Sequence, residues 1–236
     1  RRSFAELIET LSNRSFLVLF VSAMFGAMAA GVMTSLWVYF GRHFWELTTA
    51  QIGVMQISYF LSTVVALLVA PWLSQRFGKK RAAITVSALS VLITPLPLML
   101  RLFGSFPTNG TPELFYMLMV FSAIDVTMMI ASGILLAAML TDVVEDSELS
   151  TGRRSEGTFF AANSFVQKAV NGLGVVLAGQ ILPWGEFPTE AKPGEVAGAT
   201  LDALALATIP AFGVLYFISI GVLCFYGISR ERHAEN

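Results

Sequence analysis

The chain alternates between long apolar runs and short polar connections. About 20 apolar residues are needed to cross a membrane as a helix. Six runs reach that length, at positions 16–40, 51–73, 82–103, 113–140, 158–182 and 205–228. No ten-residue segments of alternating polarity suggest a transmembrane barrel, so the runs are interpreted as helices that satisfy their own backbone in lipid. The pattern predicts an all-α integral membrane protein with six transmembrane helices.

The composition supports this class and excludes others. The 236 residues are 55% hydrophobic and 13% charged, with a mean hydropathy of +0.69 and a net charge of -1. Soluble domains carry about 25% charged residues. The balance excludes a disordered chain and a basic nucleic-acid-binding protein. We therefore expect the chain to lie in a lipid bilayer and to bind no nucleic acid. One cysteine and two distant histidines predict no metal site.

The positive charges predict an orientation. Of the 15 lysines and arginines, eleven lie in the first, third, fifth and seventh polar segments, three lie in or beside the even-numbered segments, and Lys168 lies within a span. The eleven are Arg1, Arg2, Arg14, Arg76, Lys79, Lys80, Arg81, Arg153, Arg154, Arg230 and Arg232. Because positive loops stay inside, we expect a multi-pass protein of the plasma (inner) membrane with both termini cytoplasmic.

Lys168 is the strongest candidate for a functional residue, because ionisable groups deep in a span usually mark a pathway or binding site. It lies about 10 residues, or about 15 Å, into the fifth span. At 100° per residue, five polar side chains share an arc of about 140°. They are Asn163, Ser164, Gln167, Lys168 and Asn171. This polar ladder is interpreted as a substrate-binding face; the alternative is that it only joins helices by hydrogen bonds.

Asp125 is the other deep charge, in the fourth span. Ser122 and Ser132 fall on the same helical face. A buried carboxylate can be a counter-ion for Lys168, a cation or proton site, or a neutral carboxyl, and a helix–helix hydrogen bond is equally compatible. Asp125 is kept as a candidate substrate-binding residue. Gln56, Tyr59 and Thr63 form a further polar face on the second span.

The segment after the fourth span is unusual because acidic residues precede a glycine and two arginines. Such residues at two helix ends could form ion pairs that break and re-form between conformers, although ordinary surface pairs contribute little. The basic turn at 76–81 is compatible with the same role. The candidates for cytoplasmic gating are Asp142, Glu145, Glu148, Arg153, Arg154, Glu156, Arg76 and Lys80.

This segment resembles a family motif. The run Asp142-x-x-Glu145-x-x-Glu148-x-x-Thr151-Gly152-x-Arg154-x-Glu156-Gly157, with Lys168 eleven residues later, is similar to that of the glycoside–pentoside–hexuronide:cation symporters. That family includes the melibiose permease and is a branch of the major facilitator superfamily. The chain departs from the family pattern where Glu145 replaces an aspartate and Asp146-Ser147 replaces a Tyr-Gly pair.

The resemblance implies the C-terminal half of a twelve-helix carrier, built as two inverted three-helix repeats. Residues 1–15 would be the end of a cytoplasmic linker, 16–229 the helical bundle and 230–236 a cytoplasmic tail. Lys168 would contribute to the central polar cavity. No cofactor is implied beyond a coupling cation, sodium or proton, bound mainly by the N-terminal six-helix half.

The expected function is cation-coupled symport of a sugar or glycoside by alternating access. An alternative on the same fold is a carrier of an amphipathic lipid such as a lysophospholipid. An alternative of another class is a structural membrane protein or membrane enzyme, but HExxH and GxSxG motifs are missing from the sequence. We therefore expect no enzymatic activity.

Overall fold

The computed structural model describes residues 13–152, 156–184, 187–188 and 192–227, and this part of the chain is helical without any strand. The predicted linker and tail fall largely outside the described residues. The helices are α1 (Arg14–Tyr39), α2 (Thr49–Phe77), α3 (Lys79–Ile93), α4 (Leu96–Leu102), α5 (Pro112–Thr151), α6 (Glu156–Trp184) and α7 (Gly198–Leu223). A π-helical turn, Phe40–Phe44, extends α1. The all-α prediction is confirmed.

Within the described residues, six helical segments are long and apolar enough to cross a membrane, with α3 and α4 together forming the third. The helix ends differ from the apolar runs. The fourth helix, α5, continues to Thr151 rather than ending near 140, and Gly152 ends it with φ +67°. The last helix begins at Gly198 and ends at Leu223 rather than spanning 205–228. Hydropathy marks the part of a helix within lipid, whereas caps and glycines set where the helix itself ends.

Two prolines break the third span. Proline has no backbone N–H and cannot donate to the carbonyl four residues before it. Accordingly α3 ends at Ile93 and α4 begins at Leu96, with Pro95 and Pro97 on and beside the break. The break lies against α5, and it forms part of the cavity described below.

The packing follows the two-repeat prediction. The first triplet of spans is α1, α2 and α3–α4, and the second is α5, α6 and α7. Helix α1 packs chiefly on α6 and α7, while α5 packs chiefly on α2 and α3. The first helix of each triplet thus contacts the second and third helices of the other. Since each triplet has three crossings, the second begins on the opposite side of the membrane, as an inverted repeat requires.

Two glycines bring α1 and α6 together. A Cβ atom added to Gly31 would lie 2.5 Å from the backbone oxygen of Asn171, and one added to Gly174 would overlap the backbone oxygen of Met28. Only residues without side chains permit this approach, which is a recurrent way of packing helices in lipid. The contact fixes how α6 is rotated about its axis, and therefore which of its side chains face the bundle.

Apolar side chains pack in two clusters, one toward each end of the bundle. Along α5, Leu114 and Leu118 belong to the first cluster, while Leu135 and Met139 belong to the second. The second cluster adjoins the basic turn at 76–81, and we call that end of the bundle the basic end. Asp125 lies between the two clusters. The fold therefore leaves a polar layer near the middle of the bundle.

Candidate functional site: a cavity at Asp125 and the polar face of α6

A cavity of about 320 Å³ lies inside the bundle, bordering the first apolar cluster. Its volume is at the lower end of the roughly 300–1,000 Å³ that is usual for small-molecule sites. Its aromatic walls are Trp37, Phe40, Trp45, Tyr59, Phe121, Phe212 and Tyr216. Its polar groups are Thr34, Gln56, Ser90, Thr94, Ser122 and Asp125. Mostly apolar walls with a few polar groups are typical of binding sites for organic solutes.

Asp125 is positioned by the broken third span. The Thr94 hydroxyl, at the C-terminal end of α3, donates a short hydrogen bond to Oδ1 of Asp125. On the neighbouring helix pair, the Ser122 hydroxyl donates to the phenol oxygen of Tyr59 over 3.0 Å. Within the described residues, Oδ2 of Asp125 receives no hydrogen bond. One carboxylate oxygen is therefore held, and the other is available to a ligand.

The two serines predicted to share the helical face of Asp125 lie in different places. Ser122 lines the cavity with Asp125, as the shared helical face predicts. Ser132 instead lies against Ser87, with 3.4 Å between their hydroxyl oxygens, on the basic side of the cavity. The two turns between Asp125 and Ser132 carry the second out of the polar layer.

The polar ladder of α6 divides into two groups. Asn163 and Gln167 are half-buried and line a smaller cavity of about 90 Å³ against α1 and α5. Ser164, Lys168 and Asn171 are exposed on the surface of the bundle. The Gly31–Gly174 contact explains the division, because it turns the Asn163 side of the arc toward α1. The described residues offer Lys168 neither a hydrogen bond nor an ion pair, and it does not line the Asp125 cavity.

At the basic end, Asp142 pairs with a lysine of the α2–α3 turn. Lys79 Nζ lies 2.5 Å from Oδ1 of Asp142, which is 8% exposed. The turn is a single residue, Gly78, with φ +82°, a value that favours glycine. It places two lysines in the first turn of α3, where the helix dipole disfavours positive charge. Asp142 compensates one of these lysines.

The second lysine binds the end of α7. Lys80 Nζ donates to the backbone oxygens of Cys224 at 2.7 Å and Tyr226 at 2.6 Å. The Tyr226 hydroxyl donates to the backbone oxygen of Met139 over 3.2 Å. These contacts join the basic ends of α3, α5 and α7. Burial, with further contributions from Asp142 and Asp146, raises the pKa of the Tyr226 hydroxyl above its usual value, so it remains a hydrogen-bond donor at neutral pH.

The other gating candidates are placed as follows. Glu145 is exposed on α5, Glu148 is half-buried near the end of that helix, and Glu156 is exposed at the start of α6. The Arg76 guanidinium lies 5.7 Å from the ring centre of Trp72 and 5.9 Å from that of Phe77. Arg153 and Arg154 lie outside the described residues. The predicted ties between the acids and these arginines therefore stay a prediction, and the Lys79–Asp142 pair is what the structure adds.

Several cavity residues carry weak sequence signals. Ser87, Ser90 and Thr94 recur at intervals of three and four on the third span, a helical face that the sequence interpretation passed over. Tyr216 lies in an unbroken apolar run and gives no signal. The sequence identifies Lys79 only as part of a basic turn, because spacing along the chain cannot show which of several neighbouring cations contacts an acid 63 residues away.

Among the described residues, no group of three or more metal-ligating side chains is present.

The chain belongs to the MFS/sugar transport protein family, whose model matches residues 2–230. It is therefore a multi-pass membrane protein of a transporter family, and the class that the resemblance implies is confirmed. It is 28% identical over 235 residues to an uncharacterized symporter of Synechocystis sp., covering 95% of this chain and 40% of that protein.

Two further relatives show similar coverage. The chain is 25% identical to an uncharacterized symporter of Bacillus subtilis, covering 95% of the chain and 46% of that protein. It is 24% identical to a sphingosine-1-phosphate transporter of Xenopus tropicalis, covering 96% and 42%. The chain thus spans less than half the length of these curated relatives. No solved structure matches it.

Proposed function

We propose that this chain is one six-helix half of a cation-coupled symporter that carries a sugar-like solute by alternating access. The family match and two relatives named as symporters support the class. The observation that carries the solute proposal is the cavity at Asp125. Its aromatic rings can cover the apolar faces of a small polyol, while its carboxylate, amide and hydroxyl groups can bind hydroxyls.

The exposed face of α6 has a role in the same proposal. Ser164, Lys168 and Asn171 would line the pathway between this half and an N-terminal half, with Asn163 and Gln167 in the groove behind them. A lysine ammonium facing hydrocarbon is costly, so its exposure here favours an aqueous or protein-lined surface. A second six-helix half, related to this one as in other carriers of the superfamily, would supply that surface.

The basic end would form the cytoplasmic gate, with both termini on the cytoplasmic side of the plasma (inner) membrane. The Lys79–Asp142 ion pair and the contacts of Lys80 with α7 join three helices there. Rocking of the two halves would break and re-form charged contacts at this end. The participants would be Asp142, Glu145, Glu148, Arg153, Arg154, Glu156, Arg76 and Lys80.

The test is uptake by the full-length protein in proteoliposomes. Radiolabelled hexoses, pentoses, disaccharides and hexuronides would be offered under an inward sodium gradient, an inward proton gradient, or neither. The proposal predicts that at least one sugar accumulates under a cation gradient and equilibrates without it. Accumulation of none of them, or accumulation independent of both gradients, would contradict it.

A second candidate is a carrier of an amphipathic lipid. The relative named as a sphingosine-1-phosphate transporter favours it, as do the apolar residues that form most of the cavity wall, such as Ala30, Met33, Leu98 and Met129. Uptake of a lysophospholipid that sugars fail to compete with would support this candidate and replace the sugar proposal.

A further inference from the structure

Asp125 brings a charge into the cavity that its surroundings do not balance. No lysine, arginine or histidine is among the residues that line it, all of which lie in the described part of the chain. Within the part of the chain that the structure describes, the Thr94 hydroxyl is the one group that donates a hydrogen bond to this carboxylate. An isolated carboxylate away from water is costly unless it is paired or protonated. A positive charge must therefore come from outside the described residues.

The broken third span adds to the negative potential at this point. Helix α3 ends at Ile93, and the last carbonyls of a helix carry a partial negative charge. Pro97 has no backbone N–H and cannot donate to the carbonyl of Ile93. Both residues line the cavity. In many transporters, the C-terminal ends and unwound carbonyls of broken helices coordinate sodium ions or protons. The break thus directs a helix C-terminus and a carboxylate at the same space.

A buried serine hydroxyl also lies in the wall of the cavity. Ser90 is 3% exposed and lines the cavity. Within the described residues, its Oγ makes no hydrogen bond of standard geometry, and the Tyr216 hydroxyl is close enough to share a weak one. Buried polar atoms normally have a well-formed hydrogen bond. An oxygen that can accept or coordinate is therefore available one helical turn from Thr94.

The titratable groups around Asp125 are few. Helix α2 contributes Tyr59 and α7 contributes Tyr216. The lining residues of α1, α3 and α4 include no titratable side chain, and α5 itself contributes only Asp125. Both tyrosines are neutral at ordinary pH. Binding of one positive charge would thus be reported by a single carboxyl group.

We infer that Asp125 is the centre of a cation site within this chain, which binds one monovalent cation, a proton or a sodium ion, between its free carboxylate oxygen, Thr94 and Ser90. The inference depends on the proposed symport only for the consequence of binding, since the site is defined by this half alone. It differs from the expectation drawn from the family resemblance, in which the N-terminal half binds most of the coupling cation. A cation bound here would lie in the same cavity as the proposed solute, in addition to any cation bound by the N-terminal half.

Tryptophan fluorescence of the full-length protein tests the site without a transport assay. Trp37 and Trp45 line the cavity, whereas Trp72 and Trp184 are exposed elsewhere. The latter two, and any tryptophan of the full-length protein outside this chain, would be replaced by phenylalanine. The protein would be titrated with acid in choline chloride. It would then be titrated with sodium chloride replacing choline chloride at fixed alkaline pH. We expect a saturable change in one titration, and its loss in Asp125→Asn.

Two variants control this loss. Asp202→Asn changes an exposed aspartate of α7 in the same way and should leave the response intact. Asp125→Glu keeps the carboxylate and should retain a response with an altered midpoint. A response to acid alone assigns a proton, and a response to sodium at fixed pH assigns sodium. No response to either, or a response that persists in folded Asp125→Asn, would overturn the inference.

A measurement on the unmutated protein keeps the inference testable if Asp125→Asn does not fold. Dicyclohexylcarbodiimide adds to protonated carboxyl groups in apolar surroundings, and peptide mass spectrometry locates the adduct. We expect labelling at Asp125 that rises with acidity or falls with sodium. Labelling elsewhere only, or labelling of Asp125 that neither ion affects, would contradict the cation site. A sugar-uptake failure combined with ion-sensitive labelling would refute the proposed solute but not this site.

Discussion

Helices α5 and α6 each carry one deep ionisable residue, and the two residues have opposite surroundings. Asp125 on α5 is half-buried in the wall of a cavity and accepts a hydrogen bond from Thr94. Lys168 on α6 is exposed and has no partner among the described residues. The carboxylate is thus partly satisfied by this chain, whereas the ammonium is not.

This difference indicates which part of a carrier's binding site can be formed by one six-helix half. Side chains of α1, α2, α5 and α7, together with the broken third span α3–α4, form the walls of a cavity within this half. The outer face of α6, which carries Ser164, Lys168 and Asn171, is exposed in the described part of the chain. We therefore expect Asp125 to bind its ligand with residues of this half, and Lys168 to act only in the complete carrier.

Lys168→Ala should have the largest effect. We expect concentrative uptake of the transported solute by the full-length protein to fall to background, because an ammonium in mid-membrane that is not structural is a functional group. The thermal unfolding temperature should be unchanged, since Lys168 makes no contact that stabilises the described bundle.

Lys192→Ala, at an exposed lysine outside the spans, is the matched control and should transport normally. Normal uptake by Lys168→Ala would remove this lysine from the mechanism. Loss of both uptake and folding would instead show that Lys168 is structural.

Gly174→Ala should be the most destabilising of the packing changes. Its Cβ would overlap backbone of α1, which cannot move aside cheaply, so we expect a loss of about 2 kcal/mol in the free energy of unfolding. Thermal unfolding in detergent micelles measures this loss. Gly172→Ala is the control on the same helix, because a Cβ there meets open space. Equal stability of the two variants would refute the close α1–α6 contact that orients Lys168 outward.

Asp142→Asn tests how much the ion pair with Lys79, at the basic end of α5, contributes to stability. The pair with Lys79 is largely buried on the acid side and partly exposed on the lysine side. We expect a loss of about 1–2 kcal/mol, between the values for exposed and buried pairs. A double-mutant cycle with Lys79→Met isolates the pair energy. A coupling energy near zero would show that the ion pair contributes nothing to stability.

Tyr226→Phe should have the smallest effect, about 1 kcal/mol for one hydrogen bond to the Met139 carbonyl. The pKa of Tyr226 is raised in the folded protein, chiefly by burial, so the folded state holds the phenol proton more tightly. That contribution is present below the unfolded-state pKa of about 10 and is lost as pH rises through the folded value. Stability of the unmutated protein should therefore decline more steeply than that of Tyr226→Phe at strongly alkaline pH. Parallel declines would contradict this.

The sequence predicts the spans and the two deep charges, because membrane length and desolvation cost leave a clear pattern. It does not predict the hydrogen bond between Thr94 and Asp125. These residues are 31 positions apart, and their contact depends on how each helix is rotated about its own axis. It also does not separate Asn163 and Gln167 from Lys168, because the helical arc is continuous and only the Gly31–Gly174 contact divides it. The ends of α5 and α7 were not predicted from hydropathy, because both helices extend beyond the apolar runs into polar residues.

The accessibility of α6 to water tests the central claim most directly. Cys224, the one cysteine of this chain, and any cysteine elsewhere in the full-length protein would first be replaced by serine. Single cysteines would then replace Lys168 and Asn171 on the polar arc and Phe165 and Val176 beside it. All four positions are exposed on the bundle. We expect a charged, membrane-impermeant thiol reagent to modify the first two in the full-length protein in membranes and to spare the second two. Equal modification of all four, or none at 168 and 171, would show that this face meets lipid rather than a water-filled pathway.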